Sequence, residues 1–143
     1  MKPSKPEDPR RSELMARVRQ KDTATERKVA AILKGLGLFY RRNVRSLPGS
    51  PDLANKRKRW AIFVQGCFWH HHRGCRRATV PKTNTAFWLE KFRANRRRDA
   101  LAVHALRQSG YRVVFVWECE LDRSDALAKR LSKILETRRI DVR

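Results

Sequence analysis

Apolar residues recur in changing rhythms along this chain. Behind Thr23-Ala24-Thr25-Glu26, Val29, Ile32, Leu33 and Leu36 fall three and four residues apart, and Gly37 follows. A Thr-x-x-Glu capping box, a single apolar stripe and a glycine stop predict a helix that buries one side and carries Glu26 in its first turn. The rhythm then changes. Residues 38–40 can begin a strand, which gives way to the turn-rich Ser46-Leu47-Pro48-Gly49-Ser50-Pro51. Residues 52–54 and 60–64 read as a hairpin around Lys56-Arg57-Lys58-Arg59, a solvated turn with phosphate contact as the alternative. Trp60-Ala61-Ile62-Phe63-Val64 is continuously apolar, as a strand covered on both faces requires. Residues 66–84 hold too many Gly, His and Arg for a regular element.

A long helix is expected over residues 85–109, with Phe87, Leu89, Phe92, Leu101 and Leu106 as its apolar positions and Gly110 as its stop. Residues 112–117 read as another buried strand, residues 124–137 as a last helix, and residues 12–19 as a short first one. No repeat or interior linker divides the chain. The order predicts one α/β domain over residues 11–143, a sandwich with a mixed sheet, preceded by a flexible basic arm at residues 1–10.

Charge changes the picture. Of 143 residues, 35 are Lys or Arg and 14 are Asp or Glu, a net +21 spread along the whole length. Such a field draws polyanions and makes nucleic acid the expected partner. No basic amphipathic helix stands out as a membrane anchor, and no apolar run nears the roughly 18 residues that would span a bilayer. Residues 1–10 lack the apolar core of a secretory signal, so a cytoplasmic location is expected.

Candidate chemistry is concentrated in Gly66-Cys67-Phe68-Trp69-His70-His71-His72-Arg73-Gly74-Cys75. Three cysteines argue against a disulfide framework in a cytosolic chain. Cys67, His72 and Cys75 have the compact spacing with which one loop can wrap a tetrahedral zinc, and Cys119 is the remaining thiol to close it. Such a closed site would serve the fold and not the chemistry; the plainer alternative is three buried thiols beside a histidine cluster. Asp52, opening one strand and facing backbone carbonyls of the next near Val64-Gln65, makes a workable hard-cation site, although Pro-Asp also starts ordinary turns. If the loop bends, His70 faces away from a zinc-bound His72 and can act as a general base, with His71 exposed. Phe68, Trp69 and Trp88 read as core, or as wedges that open a base stack.

The runs from Ser46 through Asp52 and from Gly66 through His72, with Phe87-Trp88-Leu89-Glu90-Lys91 and Val116-Trp117-Glu118-Cys119, resemble the very-short-patch repair (Vsr) endonucleases. Arg11-Ser12-Glu13-Leu14-Met15 and the segment from Asp22 to Glu26 are similar too, so the resemblance runs in order over most of the chain. It implies a restriction-endonuclease-like (PD-(D/E)XK-type) three-layer sandwich that nicks DNA 5′ of the mismatched thymine in T·G pairs left by deamination of methylated cytosine. It implies magnesium for hydrolysis and zinc for the fold. By the same resemblance Asp52 and the Val64 carbonyl hold magnesium, His70 is the catalytic histidine with Asp99 as its carboxylate, and Glu26 is a further active-site acid. Cys67, His72, Cys75 and Cys119 match the zinc set, and Phe68, Trp69 and Trp88 the DNA wedge. Expected partners are duplex DNA, a mismatch-repair accessory protein and a repair polymerase, with the enzyme itself a monomer.

Two departures stand out. Gln65 occupies the place where the family commonly has a second active-site histidine, and Arg73-Gly74 lengthens the zinc loop by one residue, which a glycine can absorb. Glutamine can bond a phosphate oxygen or water but cannot move a proton. Two alternatives therefore accompany the nickase reading: a zinc-stabilised binder of distorted DNA that cuts poorly, and a nickase with another target.

Overall fold

In chain order the elements are α1 (Ala24–Gly35), β1 (Arg41–Arg42), β2 (Leu53–Asn55), β3 (Trp60–Gln65), α2 (Thr85–Gln108), β4 (Arg112–Trp117), a 3-10 turn (Glu118–Arg123) and α3 (Ser124–Glu136). They come from a computed structural model in which residues 24–68 and 70–136 are described. The arm at residues 1–10, the helix expected at residues 12–19, Thr23 of the capping box, Trp69 and Thr137 lie outside them. Among the described residues, no helix is long and apolar enough to cross a membrane.

The four strands form one mixed sheet in the order β1-β2-β3-β4. β1 and β2 are antiparallel, as are β2 and β3, with Leu53 opposite Ile62 and Asn55 opposite Trp60. β3 and β4 run parallel, from Trp60 beside Arg112 to Gln65 beside Trp117. Side chains of a strand alternate between faces. Trp60 and Ile62 therefore meet Val29, Ala30 and Leu33 of α1 and Leu127, Leu131 and Leu135 of α3. Ala61 and Phe63 meet Ala102 and Leu106 of α2 on the other face. The continuous apolar run at β3 is thus explained by two covered faces. Full burial of a side chain such as Ile62 stabilises the fold by about 1.5–3 kcal/mol.

Three expectations need correction. The strand expected at residues 38–40 is displaced to Arg41–Arg42, because residues 37 and 38 complete the cap of α1. The Leu38 amide donates to the Leu33 carbonyl at 3.0 Å and the Gly37 amide to that of Lys34 at 3.0 Å, with Gly37 at φ 74°. This is a Schellman cap, and it seats Leu38 in the core. In α2, Leu89 and Leu101 are exposed, whereas Trp88, Phe92, Ala102 and Leu106 are buried. Steps of four and three from Trp88 pass through Phe92, Asn95, Asp99, Ala102 and Leu106, so the stripe facing the sheet includes two polar residues. β4 buries only Val114 and Val116, being an edge strand.

The turn before β2 depends on one glycine. Gly49 has φ 73°, and a Cβ there would lie 2.5 Å from the Cβ of Ala102 and 3.1 Å from the Phe63 ring. Gly49→Ala should destabilise the protein by about 2–4 kcal/mol, combining left-handed strain with the clash. Adding Ala102→Gly should recover only the clash. Thermal melts of the single and double variants check this; an unchanged melting temperature in Gly49→Ala would show that the turn does not pack against α2.

Candidate active site and metal centre

Backbone bonds continue the pairing of β1 beyond its two strand residues. The Asn43 amide donates to the Asp52 carbonyl at 2.9 Å and that of Val44 to the Pro51 carbonyl at 3.0 Å. Asp52 is thereby fixed at the head of β2, where its Oδ2 accepts the Val64 amide at 2.7 Å. Continuing the register of Leu53 with Ile62 sets Val64 opposite Pro51. A strand residue sends its N–H and C=O to the same side. The carboxylate of Asp52 takes the Val64 amide where the ladder of β2 stops, and the Val64 carbonyl leaves on the same side. A carboxylate beside such a carbonyl suits a hard divalent cation.

A second centre forms around Asp99, on the polar part of the α2 stripe. Its Oδ2 accepts from Gln65 Nε2 at 2.9 Å and lies 2.8 Å from His70 Nδ1. An ionised carboxylate only accepts, so Nδ1 is the donor in this pair, and in a neutral imidazole Nε2 then keeps its lone pair. Gln65 is buried at 3% exposure, with its amide directed at Asp99 from the end of β3. His70 and Asp99 each keep about a quarter of their side-chain surface in solvent. They line a cleft of about 660 Å³ with Arg73, Arg96, His104 and Arg107. The last three are additions from α2 that sequence reading missed. Positions 96, 99, 103 and 107 share one helical face, which was the available signal.

The metal centre joins two segments distant in sequence. In the loop, the His72 amide donates to the Cys67 carbonyl at 2.9 Å and the Cys75 amide to that of His72 at 3.2 Å, while Gly74 takes φ 75°. These turns converge Cys67, His72 and Cys75 on Cys119, with all four ligand atoms within 4.8 Å of one another. His72 Nδ1 is 3.5 Å from Cys119 Sγ. Zinc bonds of about 2.0–2.3 Å place tetrahedral ligand atoms about 3.3–3.8 Å apart, so three sulfurs and one imidazole fit a closed zinc site. Burial pushes the Cys67 thiol up to about 12, and Cys119 is raised for the same reason. Cys75 is lowered, first by the backbone amide of Arg77. Metal binding must displace protons from the raised thiols.

Cys119 is held from behind. Arg130 donates to both carboxylate oxygens of Glu120, at 2.9 and 3.1 Å, and to the Phe115 carbonyl at 2.8 Å. Glu120 in turn accepts the Trp117 amide at 3.1 Å. The His72 ring stacks on Trp117 with centroids 3.9 Å apart.

His71 is half-buried, contrary to the exposed position expected, because its ring stacks on Phe92 at 4.8 Å and Arg96 bonds its carbonyl at 3.0 Å. Phe68 packs on Trp88 at 5.4 Å and Phe92 at 5.5 Å, and Trp88 is buried at 4% exposure. Glu26 is buried in the first turn of α1, the helix that covers the Trp60 and Ile62 face of the sheet.

The profile of the family described as DNA mismatch endonuclease Vsr matches residues 5–77. The chain is 43% identical over 127 residues to the Type II nicking enzyme V.XorIIP of Xanthomonas oryzae pv. oryzae, covering 89% of this chain and 93% of that one. It is also 43% identical to the DNA mismatch endonuclease Vsr of Escherichia coli over 128 residues, 86% of this chain and 81% of that protein. The Type II nicking enzyme V.NmeAIP of Neisseria meningitidis is similar at 36% over 126 residues, 88% of this chain and 89% of its own.

Metal analysis of the purified protein should find zinc, and Cys119→Ser should lower its content; a full complement in that variant would remove Cys119 from the ligand set. Arg130→Met should weaken zinc binding about 10- to 100-fold in chelator competition, as loss of an outer buttress does. Unchanged zinc affinity in Arg130→Met would show that Glu120 holds the turn unaided.

Proposed function

The chain belongs to the DNA mismatch endonuclease Vsr family, and on that premise we propose that it nicks duplex DNA 5′ of the thymine in T·G mismatches, on a restriction-endonuclease-like sandwich. The observation that carries this reading is Asp52 at the head of β2, its carboxylate fixed by the Val64 amide and set beside the Val64 backbone. Magnesium fits that pair of hard oxygens and, when bound, would draw charge from the scissile phosphate. Asp52 and Val64 would hold it.

The remaining chemistry belongs to side chains. Asp99 accepts a hydrogen bond from the Nδ1–H of His70 and fixes that ring, so that Nε2 can take a proton from the attacking water. Gln65 anchors the same carboxylate oxygen and so acts as a positioning residue. Glu26 is a further acid of the site by family resemblance, and Phe68, Trp69 and Trp88 are the wedge that opens the stack beside the mismatch. Trp88 packs against Phe68 and Phe92, which supports a wedge role for an aromatic group held in place before DNA binds. The Cys67, His72, Cys75 and Cys119 zinc serves the fold, since four protein ligands leave no open position. The substrate is duplex DNA inside the cell, where a repair polymerase completes the process and an accessory mismatch-repair protein can assist. The enzyme works as a monomer over residues 11–143, preceded by the basic arm at residues 1–10.

A second reading is favoured by Gln65, whose buried amide gives no proton to move. On that reading the chain binds the mismatch and cuts poorly. End-labelled duplexes carrying T·G or T·A in otherwise identical sequence separate the two. Magnesium-dependent scission of the T strand in the T·G duplex alone is expected; tight binding without a cut would favour the binder, and Gln65→His should then restore cutting. Asp52→Asn should lower nicking at least about 100-fold while keeping the fold and DNA affinity, because the amide oxygen can still accept the Val64 N–H. Full activity in Asp52→Asn would remove Asp52 from the chemistry.

A further inference from the structure

The chain carries a second basic concavity away from the His70–Asp99 cleft. A groove of about 820 Å³ at the β1 edge of the sheet is lined by Phe39, Arg41, Arg42, Arg45, Lys56 and Arg57 among others, and among the described residues no acidic one lines it. Five cations on one wall repel one another and are not required by the core, whose side chains lie inside the two helical layers. Phe39 stands 83% exposed at the same place, held by Asn55 Nδ2 donating to its carbonyl at 3.0 Å. The turn that presents Lys56 and Arg57 is built for that shape: the Lys58 amide donates to Asn55 Oδ1 at 2.8 Å, and Arg59 takes φ 56°.

The strands that line this groove lead along the backbone to Asp52. The backbone bonds of Asn43 and Val44 reach Asp52 and Pro51, and Arg41 and Arg42 face Ala54 and Leu53 in the next two pairs. From Asp52 to Lys56 the chain covers four residues, about 13 Å at about 3.3 Å each. One DNA strand presents a phosphate for each 3.4 Å or so of helix axis, so that distance spans at most about four phosphates when it lies along the axis.

We propose that the β1 edge groove is a phosphate track for the duplex flanking the cut, engaging the backbone up to about four nucleotides from the phosphate held at Asp52. The inference rests on the nickase reading and adds to it a binding surface remote from the wedge. Arginine and lysine contacts of this kind fix register and affinity without reading sequence, and Phe39 adds an apolar contact for a sugar face. The groove therefore strengthens binding equally for T·G and T·A duplexes, leaving mismatch preference to the other end of the site.

The test uses the full chain with Lys56→Gln and Arg57→Gln combined, both in an exposed turn, and Arg41→Gln separately. Binding to a T·G duplex is measured against salt concentration, and nicking is measured at saturating DNA. Loss of two phosphate contacts should reduce the slope of log affinity against log salt by about 1.8 and weaken binding about eightfold per contact at 0.1 M salt. Arg41→Gln should show about half the slope change. The nicking rate at saturation should be unchanged, and trimming the duplex on one flank should bring wild-type affinity down to that of the variants. Unchanged affinity and slope in variants that melt like the wild type would overturn the proposal and leave the groove to an acidic protein partner. If the wild type nicks while the variants bind normally, only the groove fails; if the wild type neither binds nor cuts T·G duplex, the nickase reading fails and the groove proposal with it.

Discussion

Parallel pairing of β3 with β4 is the constraint on which both centres depend. Six residues of each strand run side by side, so both strands end at the same edge, with Gln65 next to Trp117. The chain beyond each end must then start from that edge. Cys67 follows one strand by two residues and Cys119 follows the other by two, and the thiols meet although 51 residues separate them. A parallel pair needs a long crossover. Here that crossover contains the metal loop and α2, which bring Cys75, His70 and Asp99 back to the same end of the sheet.

Polar groups at this edge are satisfied by one another, which explains how they are kept among apolar layers. Asp99 interrupts the stripe of α2 that otherwise supplies Phe92, Ala102 and Leu106 to the interior. Burying a carboxylate without partners is costly, and here two donors converge on one oxygen, from Gln65 and His70. The arrangement fixes the imidazole while leaving part of the pair in solvent. Asp52 follows a similar logic on the other side of β3: its carboxylate takes the Val64 amide where the ladder of β2 stops, so the site gains a fixed carboxylate.

Charge is divided between scaffold and surface. Arg130 is used structurally, gripping Glu120 and the Phe115 carbonyl to hold the turn that carries Cys119. Arg96 orders the metal loop through the His71 carbonyl. The edge groove and the His70 cleft gather further cations where a polyanion can reach them. A net charge of +21 thus resolves into distinct tasks, only some of which concern DNA.

The sequence alone determined the succession of elements, because their periodicities are local properties: β3 as a strand apolar on both faces, α1 with its glycine stop, and the last helix from its apolar spacing. It also made the metal set legible, since Cys67, His72 and Cys75 lie close in the chain and only one other thiol exists. Family resemblance, not spacing, pointed to Asp99, because a single aspartate in a helix of charged residues has no distinguishing pattern until the facing sheet is present. Tertiary structure alone decided that Leu89 and Leu101 face outward, that Gln65 turns to Asp99, and that Pro51 stands opposite Val64. Each of these depends on register or on the rotation of a helix against its neighbour. Those quantities are fixed by packing between segments far apart in the chain, and no local pattern contains them.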